Sequence, residues 1–338
     1  MHRRMSPQKS RALRWAAVLA FVGLFVWYRV EDPGAVEQRT AAKPPAATKQ
    51  QQGATRLAVL GDGGASIERQ RTELLTYLES SGLSLETIAI VLRHTRDGIA
   101  LRQGTEGART RLGGPPLLPK GEKWPTAADG DKLTFVGALD FAELPRMDPL
   151  PSEGILALYW NRDWGGKGEG KKDFVAATRA FYLKPGDPTS EPEAPAQTLP
   201  ITYKPLRGAA MPIAGDPRLV GEELRGSRDL GKLEQAMGEL RRQGVYPHHV
   251  LGAPIDAHGS VLRAMPGFFN PTLGYLSEAS RTRFSPAERD AGKWMLLAQI
   301  EQQDDFVIGD GGILYFVILE QDLEAQRFDR VVGIMGSN

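Results

Sequence analysis

Four side chains suited to acid–base or metal chemistry, His248, His249, Asp256 and His258, fall within eleven residues. Metal ligation or general-base work needs two or three of them to converge. Their spacing crosses the turn Leu251-Gly252-Ala253-Pro254 and forms no helical i,i+4 pair, so no metal site is expected. A second cluster lies at Gly309-Asp310-Gly311-Gly312, with Asp304 and Asp305 just upstream. Clustered carboxylate oxygens suit a hard cation, but Asp-Gly is also the usual chemistry of a hairpin turn. The cluster lacks the alternating acids of a calcium loop. No catalytic residue is assigned outright. His249, Asp256 and Asp310 are the acid–base positions if there is an enzyme here. Asp304, Asp305 and Asp310 are ligand-binding positions if there is a polar ligand.

Other glycine-rich segments read as connections. Gly61-Asp62-Gly63-Gly64 precedes a helix start at Ser66, where amide groups could hold a phosphate. It lacks the third glycine and the later acid of a dinucleotide site. Gly165–Lys172 is basic and flanked by Trp160 and Trp164, without the Ser or Thr that a phosphate loop needs. Neither a Gly-x-Ser-x-Gly elbow nor a His-Glu-x-x-His pair occurs. No cofactor is expected.

The elements that must position these residues are legible in part. A short strand is expected over Arg56–Leu60, then a helix from Ser66 to Ser81 with Leu74, Leu75 and Leu78 as its stripe and Gly82 as its stop. Thr87–Arg93 is β-branched and apolar and predicts a strand. Leu230–Gln243 predicts a helix ended by Gly244. Ser285-Pro286-Ala287-Glu288 carries a complete helix-start signature. Lys184–Pro205 holds six prolines and reads as a surface loop or linker.

The 338 residues carry 42 basic and 41 acidic side chains, a net charge of +1, which argues against a nucleic-acid binder. With no cysteine, disulfides, thiolate zinc sites and thiol nucleophiles are excluded. Glycine and proline, at 38 and 24, exceed the average and favour a turn-rich fold containing sheet. Five basic residues and no acid occupy positions 1–14, and an uninterrupted apolar run follows from Trp15 to Tyr28. Extended to Ala12 and Val30 with snorkelling arginines, it spans about 28 Å as a helix, close to a hydrocarbon core. No small-residue cleavage site follows closely. The reading is a basic cytoplasmic tail at 1–14, a transmembrane anchor at 15–30, a flexible linker at 31–55 and an extracytoplasmic domain at 56–338. A cleaved signal and a soluble protein are the alternatives.

Three echoes point to an internal duplication. Leu112-Gly113-Gly114-Pro115 matches Leu251-Gly252-Ala253-Pro254, and Phe135–Asp140 matches Leu296–Glu301. Gly154–Tyr159 matches Gly312–Val317. Order is kept, with one insertion of about twenty residues in the second copy. The expected fold is α+β, two similar sheet-containing halves (about 88–200 and 245–338) in one compact domain preceded by one transmembrane helix.

Over roughly residues 88–338 the chain resembles the YwqG-like family, a bacterial domain of unknown function. The resemblance is carried by Arg111–Pro116 with Trp124-Pro125, by Phe135–Leu144, His249–Pro254, Trp294–Ile300 and Gly309–Gly312. It is completed by Asp322-Leu323 with Arg327-Phe328-Asp329-Arg330-Val331. It implies an α+β fold of two similar halves and no established activity. The family pattern has Trp where Ile308 stands, Gln where Asp256 stands, and Ala-Gln where Gly137-Ala138 stand; Gln299 keeps the second Ala-Gln and joins the ligand-binding candidates. A binding or interaction module is therefore expected, with the membrane and a cell-envelope protein as partners. An envelope hydrolase using His249, Asp256 and Asp310 is the alternative, as is a soluble cytosolic protein.

Overall fold

The chain divides into two units, Met1–Thr55 and Arg56–Asn338. The computed structural model describes residues 67–104, 107–162, 173–191, 201–210, 224, 228–242, 248–254, 261–302 and 312–336. The strand at 56–60, the cap at Ser66, the basic loop at 165–172 and the anchor at 15–30 are expectations that lie outside these residues.

Helices α1 (Ile67–Ser80) and α2 (Leu85–His94) precede the sheet, separated by Gly82 in the left-handed region. Residues 87–93 are helical rather than extended. Ser84 caps α2, its Oγ accepting from the Thr87 N–H at 3.3 Å. Ile88 and Val91 recur one helical turn apart and bury against Leu74, Leu78 and Leu233. That apolar burial outweighs the modest β preference of the side chains. Helix α3 (Leu230–Arg242) falls close to its expected bounds.

The principal sheet has ten antiparallel strands in the order β12-β11-β10-β9-β1-β8-β2-β4-β5-β6. On one side lie β2 (Arg111–Leu112), β4 (Thr134–Asp140), β5 (Ile155–Trp160) and β6 (Thr178–Leu183). On the other lie β9 (His248–Leu251), β10 (Trp294–Glu301), β11 (Ile313–Leu319) and β12 (Val332–Gly336). Between them run β1 (Arg96–Gln103) and β8 (Ile201–Ala210). A two-residue ladder of β3 (Leu118–Pro119) and β7 (Thr189–Ser190) lies apart. The two edge strands approach one another: the Gly333 N–H of β12 donates to Thr178 Oγ1 of β6 at 2.8 Å. A Cβ at Gly333 would meet that oxygen at 2.8 Å and the Trp160 ring at 2.9 Å, so glycine permits the approach. The sheet is thereby curled into a nearly closed barrel, its inner face filled by Ile99, Leu101, Leu156, Leu158, Trp160, Val250, Ile300, Leu314 and Phe316.

This corrects the expected fold class. The domain is a single, mostly antiparallel, nearly closed sheet rather than two separate sheet-containing halves. Among the described residues no helix is long and apolar enough to cross a membrane. The two repeats do not form separate sheets because their first strands are exchanged. β1 pairs with β8 and β9, whereas β8, which opens the second repeat, pairs with β1 and β2. The proline-rich stretch 184–205 accordingly ends inside β8. Pro205 faces Leu101 across the β1 ladder, while β2 pairs with β8 at Ile201 and Thr202. A proline beyond the reach of β2 removes no donor from that second ladder.

Local detail repeats along the two arms. The β4–β5 ladder skips a residue between Phe135 and Gly137, and the β10–β11 ladder between Leu296 and Ala298. The skipped Val136 and Leu297 both join the inner core. The outer faces are covered differently. Residues 113–133 lie over β4 and β5 through Leu117, Leu118 and Leu133. Residues 252–293, the longer connection, include α4 (Val261–Phe268) and α5 (Glu278–Thr282) and cover β10–β12 with Leu262, Met265, Phe269 and Phe284. The insertion in the second copy is thus a helical cover.

Candidate functional site

His249, Gln299 and Tyr315 are direct neighbours across β9, β10 and β11, and directly opposed residues share one face of a sheet. All three are buried, at 1%, 1% and 2% exposure. Ala100 of β1 precedes His249 in the same row. Ala100 belongs to the cluster under α1–α3 and Tyr315 to the cluster under α4. The imidazole and the amide therefore lie on the outer face of the sheet between two helical covers. An imidazole, an amide and a phenol there offer several donors and acceptors in one line.

His249 has a defined local task. Leu251 and Gly252 take φ of 57° and 78°, the left-handed region, and His249 Nε2 lies 3.1 Å from the Ala253 carbonyl oxygen. A carbonyl only accepts, so Nε2 carries the proton. The same device stands in the first repeat. Gly113 and Gly114 take φ of 63° and 75°, and Arg111 Nη2 donates to the Pro115 carbonyl at 2.6 Å. Arg111 and His249 are thus equivalent, each bridging its own left-handed turn. The sequence echo, which aligned Leu112 with Leu251, is one residue out: Leu251 corresponds to Gly113. His248 is also committed, its Nδ1 accepting from the Glu301 N–H at 3.2 Å and its ring lying edge-on to Tyr203.

Of the residues singled out by sequence, the structure brings His249 and Gln299 together. Asp256, His258, Asp304, Asp305 and Asp310 lie outside the described residues. Among the described residues no group of three His, Asp or Glu could hold a metal ion. Tyr315 was missed because it lies within an apolar strand run, Ile313–Leu319, and only the register places it beside Gln299.

The motif at the carboxyl end is an ionic clamp. Asp322 is fully buried, accepts from Arg330 Nε at 2.6 Å, and pairs with Arg327. Arg330 also donates to Glu288 at 3.0 Å and to the Arg283 carbonyl at 2.8 Å, with its guanidinium over the Phe284 ring. Burial works to raise the Glu288 carboxyl, but the Ser285 hydrogen bonds and the Arg330 and Arg327 charges hold it below its ordinary value. In the first repeat Asp140 is raised by burial, against hydrogen bonding from Ala142 and the Arg109 charge; Arg109 Nη2 lies 2.5 Å from its carboxylate. Glu288 and Asp140 are shifted by burial and by the partners that tie strands and turns together, which is a structural use of charge.

A nearly closed antiparallel sheet with two differently covered arms and one buried polar row defines an all-antiparallel core with helical additions. A family model for a domain of unknown function, DUF1963, matches residues 110–336. The chain belongs to this family. No curated protein matches the chain.

Proposed function

We propose that the domain is a binding module and that its ligand engages the polar row His249–Gln299–Tyr315. The observation that carries this reading is the difference between the arms. Arg111 pairs with Ala138 and Ala138 with Ala157, so two alanines stand in the first arm where Gln299 and Tyr315 stand in the second. The buried amide and phenol belong to the arm with the helical cover. Packing alone does not require an amide and a phenol there, since the first arm packs with alanines in their places. Hydrolysis through His249 is the weaker reading, because the imidazole is 1% exposed and already bridges the turn to Ala253.

A cell-envelope component is the ligand this reading favours, and since the row is only 1–2% exposed it is reached when a helical cover shifts. Extracytoplasmic placement rests on the sequence of residues 1–55. The residues that carry the YwqG-like resemblance from Arg111 to Val331 fall within 110–336, and we read the two families as one. The test is retention of components from native membranes by immobilised full chain, compared with its Gln299→Ala variant. Retention that falls with the variant supports the reading; identical retention overturns it.

A further inference from the structure

We propose that the slot between β8 and β9 is a strand-accepting site, whose ligand is segment 67–103, its own in the fold described and a second copy's when that segment is withdrawn. Both ladder partners of β1 come from the far side of the chain. Eight residues pair with β8, from Arg96↔Ala210 to Gln103↔Tyr203, and three pair with β9, from Gly98↔Leu251 to Ala100↔His249. Among the described residues β1 has no ladder with the strands of its own repeat. Ile99 and Leu101 point into the barrel at 0% and 4% exposure, and Ala100 points out beneath the helices.

The helices that precede β1 dock on the same partner. The Ser84 N–H donates to Asp229 at 2.7 Å, Lys232 Nζ donates to the Gly82 carbonyl at 2.7 Å, and Tyr77 Oη to the Ala236 carbonyl at 2.9 Å. Leu74, Leu78, Ile88 and Val91 complete that docking against Leu233 of α3. Segment 67–103 therefore brings both a strand and an apolar lid to the surface formed by β8, β9 and α3. The family match begins at residue 110, after this segment ends. Gly104 and Gly107, both with positive φ, lead from it into the matched region.

Recognition of an added strand works through its backbone ladder for affinity and through alternate side chains for register. Here the inward Ile99 and Leu101, with the small outward Ala100, set that register. Because every copy of the chain carries the same segment, exchange between copies requires no new contact, only release of the segment in one of them.

The experiment uses the full chain with a protease site replacing Thr105 and Glu106, cut after folding. A fluorescent synthetic peptide of residues 67–103 is then added. The expected result is that the cut amino-terminal piece co-elutes with the remainder and is replaced by the labelled peptide. A peptide carrying Ile99→Asp and Leu101→Asp is incorporated roughly tenfold less, the register contacts being lost. Loss of the cut piece with unchanged circular dichroism and melting of the remainder overturns the proposal, since the slot then needs no strand. Equal incorporation of both peptides, or of neither, overturns it as well.

Discussion

Arg111 and His249 hold equivalent places in the two arms, and each donates to the carbonyl oxygen four residues ahead, at Pro115 and Ala253 respectively. In each arm the bridged turn contains two consecutive left-handed residues, Gly113-Gly114 and Leu251-Gly252. A guanidinium and an imidazole thus perform one structural task. His249, one of the three acid–base candidates in the sequence, bridges a turn in the fold.

Arg111→Ala and His249→Ala should each lower stability, by about 1–3 kcal/mol, through loss of a donor to a turn carbonyl. In thermal melts that is a fall of several degrees for each variant, roughly 2–4 °C per kcal/mol at this size. A loss for one and none for the other would show that the two turns are not held in the same way.

Gly137 and Ala298 also correspond, but not in the space they leave. A Cβ at Gly137 would come within 2.3 Å of the Arg111 carbonyl oxygen, whereas Ala298 already carries one. Gly137→Ala should therefore destabilise by about 1–3 kcal/mol through overpacking. Ala298→Gly should cost about 1 kcal/mol or less, mainly from backbone freedom. Denaturant midpoints of the two variants decide the comparison.

Asp322→Asn leaves Arg330 without its buried carboxylate and should cost about 3–5 kcal/mol, the range for breaking one side of a buried ion pair. Replacing Asp229, which caps α2 from outside, acts through pH instead. Hydrogen bonds from the Ser84 hydroxyl and N–H, aided by Lys232, hold the Asp229 carboxyl well below the usual range, against the opposing effect of burial.

A depressed carboxyl contributes stability that is fully present above the unfolded-state value, about 4 for aspartate, and is lost as pH falls from there toward the folded-state value. Asp229→Asn should therefore narrow its stability gap from the native chain as pH is lowered below about 4. Melts between neutral and acidic pH test this, and a gap independent of pH would contradict it.

The repeats were legible because each arm keeps its bulge and its glycine-bearing turn. Strand exchange was not, since it depends on which strand fills the gap between β2 and β9, a choice made by long-range pairing. Leu251 hid the true alignment, because a leucine in the left-handed region leaves no glycine to align. Thr87–Arg93 misled for a similar reason: its β-branched residues also present a helical face, and α1 and α3 bury that face. Gln299 is reached through the Ala-Gln of the family resemblance, but its neighbours His249 and Tyr315 are set by register alone.

The most direct measurement pairs retention of native-membrane components with thermal melting for the full chain, Gln299→Ala and His249→Ala. The binding reading predicts that Gln299→Ala reduces retention of at least one component about tenfold or more, a loss of about 1.4 kcal/mol. Its melting should stay close to that of the native chain, since it restores the alanine found in the other arm. His249→Ala should lower melting, in keeping with its place at the turn. Unchanged retention by Gln299→Ala, with melting also unchanged, would contradict the assignment of the polar row to ligand binding.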